Sequence, residues 1–125
     1  METRQFTVDK DDIIKAGKMI SEGKLVAFPT ETVYGLGANG LDGKAVGRIY
    51  EAKGRPSDNP LILHIANLEE IYPLTSGLSP MALALAKKFW PGPMTLVVPK
   101  SDIIPKEVYK KLLKYLSFLS FFILC

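Results

Sequence analysis

Phe28-Pro29-Thr30-Glu31-Thr32-Val33-Tyr34-Gly35-Leu36-Gly37 follows the apolar run Leu25-Val26-Ala27-Phe28. That run reads as a short buried strand stopped by Pro29. The residues after it mix two threonines, a glutamate, a tyrosine and two glycines. A packed strand or helix does not need that mixture. A loop bringing backbone close to a small polar ligand does, because glycine removes the side chain from the approach path. Lys53-Gly54-Arg55-Pro56 and Asn59-Pro60-Leu61-Ile62-Leu63-His64 can supply charge and polar groups to the same pocket.

Working outward, Phe6-Thr7-Val8 suggests a short edge strand. Asp9 to Glu22 reads as a helix with Ile13, Ile14, Met19 and Ile20 roughly on one face and Gly23 as its stop. Asp42 caps a second helix through Val46, Ile49 and Tyr50, ending near Gly54. Leu61 to Ile65 is another buried strand, and Asn67 caps a short helix. Ser79-Pro80 starts a helix that runs to Trp90 and stops at Pro91-Gly92-Pro93, since proline suits the first helical position. Met94 to Val98 is a third strand. Alternating strands and helices predict an α/β or α+β layered domain.

The chain of 125 residues is at most one ordinary domain, and its 47% apolar and 23% charged composition is that of a soluble globular protein. A net charge of +3 permits an anionic ligand without arguing for one. Cys125 is the single cysteine, which excludes an intrachain disulfide and makes a reducing cytosol the default. The N-terminus has no apolar signal region, which argues against export. From Tyr109 onward the composition changes to a Lys-, Leu- and Phe-rich tail. Its uncharged part, Tyr115 to Cys125, is too short for a membrane span. It can be a terminal core helix, an interfacial anchor, or out-of-frame sequence replacing a C-terminal half, and the last is the preferred reading. The domain organisation is then 1–108 as the folded part and 109–125 as the tail.

Lys53 and Arg55 flank a glycine before Pro56, so both side chains are expected to leave from a loop rather than a helix face. A guanidinium fork and a mobile ammonium together suit a triphosphate, although a solvated basic turn uses the same residues. Asn59 before Pro60 either bonds a ligand or makes an Asx turn. His64 is the only histidine; it lies within an apolar run, as either a structural residue or a ligand contact. No second His, Cys or carboxylate stands at metal-ligand spacing, so no dedicated transition-metal site is predicted. Tyr34-Gly-Leu-Gly is neither a Walker loop nor a dinucleotide fingerprint, and no Gly-x-Ser-x-Gly elbow occurs.

Taken together, Phe28-Pro-Thr-Glu-Thr-Val-Tyr-Gly-Leu-Gly, Lys53-Gly-Arg-Pro, Asn59-Pro-Leu-Ile-Leu-His64 and Phe89-Trp-Pro-Gly-Pro-Met-Thr-Leu closely resemble the YrdC-like threonylcarbamoyl-AMP synthase family. Their order and spacing match from about residue 10 to 108. The resemblance implies a twisted open mixed sheet with flanking helices, incomplete at the C-terminus. It implies a cytoplasmic nucleotidyltransferase that makes threonylcarbamoyl-AMP from L-threonine, bicarbonate and ATP, with Mg²⁺ accompanying the triphosphate. The product feeds threonylcarbamoyladenosine modification of tRNA through downstream transfer proteins. By that resemblance Thr32 and His64 contact threonine, while Lys53, Arg55 and Asn59 contact ATP. No side chain is expected as a nucleophile, and Lys53 and Arg55 stabilise charge by position. Glu31 and Tyr34 either order the loop or touch ligand. The family's later Pro-Ser-Ala-Asn motif is absent from this sequence, so the isolated chain is expected to be poorly active. The alternative is a non-catalytic module binding tRNA or double-stranded RNA; stable membrane insertion is not expected.

Overall fold

The computed structural model describes residues 2–30, 33–54 and 61–109, together with the backbone of residues 115–120. The chain divides into two compact units, residues 1–55 and 56–124.

In the first unit, helix α1 (Lys10–Ser21) begins at Asp9, whose Oδ1 accepts the Asp12 backbone N–H at 3.0 Å. Thr7 completes this cap: its backbone N–H donates to Asp12 Oδ2 at 2.8 Å, and its hydroxyl lies 2.7 Å from Asp9 and 2.9 Å from Asp12 carboxylate oxygens. The Asp12 backbone N–H, chiefly, holds the Asp9 carboxyl below its ordinary pKa. The Thr7 backbone N–H does the same for Asp12. The edge strand expected at Phe6–Val8 is not formed, because the Thr7 N–H that a ladder would use is committed to the cap. The apolar face expected of α1 is also not covered: Ile14 is 60% exposed and no α1 residue is buried.

Gly23 then turns the chain at φ 83°, the left-handed region that favours glycine. Strand β1 (Val26–Phe28) pairs antiparallel with β2 (Gly35–Gly37), in the register Val26–Gly37, Ala27–Leu36 and Phe28–Gly35. Helix α2 (Gly43–Lys53) starts at Asp42, whose Oδ1 accepts from the backbone N–H groups of Lys44 and Ala45 at 3.0 and 3.3 Å. It buries Ala45, Val46 and Ile49, a one-sided helical spacing, and stops at Gly54 with φ 60°.

The second unit contains β3 (Ile62–Ile65), a 3₁₀ segment (Leu68–Leu74), α3 (Pro80–Phe89), β4 (Thr95–Pro99), α4 (Lys106–Tyr109) and β5 (Tyr115–Ser120). Its sheet has the order β3-β5-β4, parallel between β3 and β5 and antiparallel between β4 and β5. This is the open mixed sheet expected for the fold class. β5 comes from the tail that the sequence offered as a helix, an anchor or out-of-frame residues. Its aromatic composition suits a strand, and in the centre it satisfies ladder groups of both neighbours. Short α4 was also not expected.

Ser79 Oγ accepts the Ala82 N–H at 3.1 Å to begin α3, as its sequence signal predicts. Ile71 and Val108 are completely buried. Removing a side chain such as Ile71 from water contributes about 1.5–3 kcal/mol. Glu70 fixes the end of β3, accepting the backbone N–H groups of Ala66 and Asn67 at 2.7 and 3.2 Å. Among the described residues no helix is long and apolar enough to cross a membrane.

Candidate functional site

The first unit presents two element ends that carry predicted site residues. One is the loop between β1 and β2. Its base is held by the Thr30 hydroxyl, which donates to the Val33 carbonyl, and by the Phe28–Gly35 pair. The Phe28 ring lies over the glycines of β2: a Cβ at Gly35 would come 3.0 Å from the ring, and one at Gly37 only 2.8 Å. Pairing with β1 makes these residues a strand, and the ring occupies the space a side chain at either glycine would fill. Propensity alone reads them as loop. Val33 and Tyr34 are 74% and 79% exposed at the loop's end. Thr32 and Glu31 lie outside the described residues.

The other end is the C-terminus of α2. Lys53 is its last helical residue and is exposed. This corrects the expectation that Lys53 leaves from a loop. Pro56 restricts the residue just before it, Arg55, and does not reach Lys53; the helix is stopped instead by Gly54. A cation in the last turn is favoured by the helix dipole, and the ammonium there is open to solvent and to anions. Arg55 and Asn59 lie outside the described residues.

In the second unit, β3 alternates between faces: Leu63 and Ile65 are buried while Ile62 and His64 are exposed. The structure therefore places His64 on the open face of the sheet, not in its core. The register carries a row from His64 through Leu119 to Thr95, and the next row runs from Ile62 through Ser117 to Val97. Thr95 and Val97 are exposed like their β3 counterparts. His64 and Thr95 thus share one face, two strand spacings or about 9.5 Å apart. Thr95 was not picked out from sequence, because only the register reveals its row.

The loop before β4 is built tightly. Trp90 Nε1–H donates to the Met94 carbonyl at 2.7 Å, and a Cβ at Gly92 would lie 2.7 Å from the Phe89 carbonyl oxygen. Trp90 is half-buried as the C-cap of α3, and its indole braces this loop. A shallow cavity of about 270 Å³ is lined by Asn67, Glu69, Lys87 and Trp90 among others. Of the predicted site residues that are described, neither Lys53 nor His64 borders it, and the exposed side of β3 that carries His64 is the better candidate. Among the described residues no three His, Cys, Asp or Glu side chains gather as a metal site.

A family model described as Sua5_yciO_yrdC, telomere recombination, matches residues 18–115. The threonylcarbamoyl-AMP synthase of Pyrococcus abyssi is 62% identical over 93 residues, covering 74% of this chain and 27% of that protein. The threonylcarbamoyl-AMP synthase of Bacillus subtilis is 48% identical over 117 residues, covering 86% of this chain and 34% of that protein. The crystal structure of P. abyssi Sua5 complexed with L-threonine superposes with a TM-score of 0.85 at 53% identity, over 91% of this chain and 33% of that one. The chain therefore spans between 27% and 34% of the length of these relatives.

Proposed function

Since the chain belongs to the Sua5/YciO/YrdC family, we propose that it recognises L-threonine and ATP for the synthesis of threonylcarbamoyl-AMP. The observation that carries this reading is the likeness, at 53% identity and a TM-score of 0.85, to a structure solved with L-threonine. Thr32 and His64 take the threonine; Lys53, Arg55 and Asn59 take the nucleotide. The open position of His64 supports the first assignment, and the exposed ammonium at the end of α2 supports the second.

The chemistry needs no protein nucleophile. Bicarbonate and the threonine amine give a carbamate as the new C–N bond forms and a bicarbonate oxygen leaves as water. A carbamate oxygen then forms a bond to the α-phosphorus as the bond to pyrophosphate breaks. An anion attacks a polyanion, so fixed cations must offset repulsion as charge moves onto the leaving group. Lys53 and Arg55 serve that role by position. Magnesium is expected to arrive with ATP. Accompanying the triphosphate, it would offset phosphate charge, and no step is assigned to it. The product is passed on for tRNA modification in the cytoplasm.

His64 is the single histidine, so its imidazole resonances are assignable without a variant. Titration with L-threonine at fixed pH is expected to shift them saturably, and D-threonine to leave them in place. Imidazole signals unmoved by a large excess of L-threonine would remove His64 from the site.

A further inference from the structure

Helix α2 is fastened to the turn that precedes β1. Arg48 Nη1 donates to the Gly23 carbonyl at 2.7 Å, joining residues 25 apart in sequence. Gly23 adopts φ 83°, and a Cβ there would come 3.3 Å from Asp42 Oδ2 and 3.9 Å from Arg48 Nη1. Asp42 is the residue whose other carboxylate oxygen caps α2. The turn is thus seated against both the start and the middle of the helix. Beyond the turn, β1 runs to the loop at Pro29; beyond Arg48, α2 runs to Lys53.

We propose that Arg48 is a positioning residue for nucleotide binding: by holding α2 against the Gly23 turn, it sets where Lys53 presents its charge. This rests on the reading of Lys53 as a phosphate contact. A helix is stiff along its axis, so a tether at residue 48 fixes the helix end about one and a half turns later. A charged donor on a carbonyl is among the stronger hydrogen bonds, and methionine can fill the stem's space without replacing it. Lysine retains the charge and can still donate an N–H to the carbonyl.

The test is titration of the chain with MgATP and, separately, with L-threonine, for wild type, R48M, R48K and G23A, each checked by circular dichroism. R48M is expected to bind MgATP about three- to tenfold more weakly while L-threonine affinity stays within about twofold. R48K should recover most of the loss, and G23A should reproduce it. Equal MgATP affinity in wild type and R48M overturns this inference alone. Equal loss of both ligands in R48M also overturns it, since that is general destabilisation. A wild type that binds L-threonine but not MgATP overturns the nucleotide reading itself and the inference with it.

Discussion

Gly37→Ala is expected to destabilise the chain by about 1–3 kcal/mol, the usual cost of forcing a methyl group into occupied space. The new Cβ would sit 2.8 Å from Cε1 of Phe28, inside contact distance. The ring must tilt, and its tilt opens the base of the loop that begins at Pro29. Thermal denaturation should register a fall on the order of 10 °C, by the scaling for domains of this size. L-threonine affinity should fall with it, because the loop carries Thr32. The double variant with Phe28→Leu should cost less than the two single changes added together, since the smaller side chain frees the space. Gly47→Ala is the control. Gly47 lies inside α2 with nothing within 4 Å of its added Cβ, so alanine there should raise stability by about 0.5–1 kcal/mol. A Gly37→Ala melting curve overlying the wild type would show that the ring does not constrain β2.

Lys53→Met is the substitution with the largest expected effect on ligand binding. Two unit charges 4 Å apart interact by about 1 kcal/mol in water and about 4 kcal/mol at the intermediate dielectric near a protein surface. Lys53 is exposed, so the lower part of that range applies, and the MgATP dissociation constant should rise about tenfold. The dependence of affinity on salt should also flatten, because one screened charge pair is gone. Stability should fall by no more than about 1 kcal/mol, the value of a cation at a helix C-terminus. Unchanged nucleotide affinity in Lys53→Met would assign that ammonium to the helix dipole alone. Lys53→Arg, which keeps the charge, separates electrostatics from side-chain shape.

The helix boundaries were legible because they rest on local chemistry. Asp9, Asp42 and Ser79 each cap the helix their side chains signal, and Gly23 and Gly54 stop α1 and α2 where expected. Features set by distant partners were not. β2 is a strand through its pairing with β1, with Phe28 covering its glycines, and nothing local in Gly35-Leu36-Gly37 announces either. Phe6–Val8 has strand propensity, yet Thr7 is drawn into the cap of the next helix. β5 was hidden by composition: a Leu- and Phe-rich run fits a helix or a membrane surface equally until its pairing with β3 and β4 is seen. Lys53 and His64 were singled out by residue type, and their placement was not legible. The helix end and the open sheet face came from the structure. Thr32, Arg55 and Asn59 lie outside the described residues, and their roles rest on the family resemblance.

The most direct measurement is titration calorimetry of the folded wild-type chain with L-threonine and with MgATP in the same buffer. Joint recognition of both substrates predicts saturable one-to-one binding of each, with L-allo-threonine giving no heat beyond dilution. Dilution heat alone from both L-threonine and MgATP, with circular dichroism showing an intact fold, would contradict it.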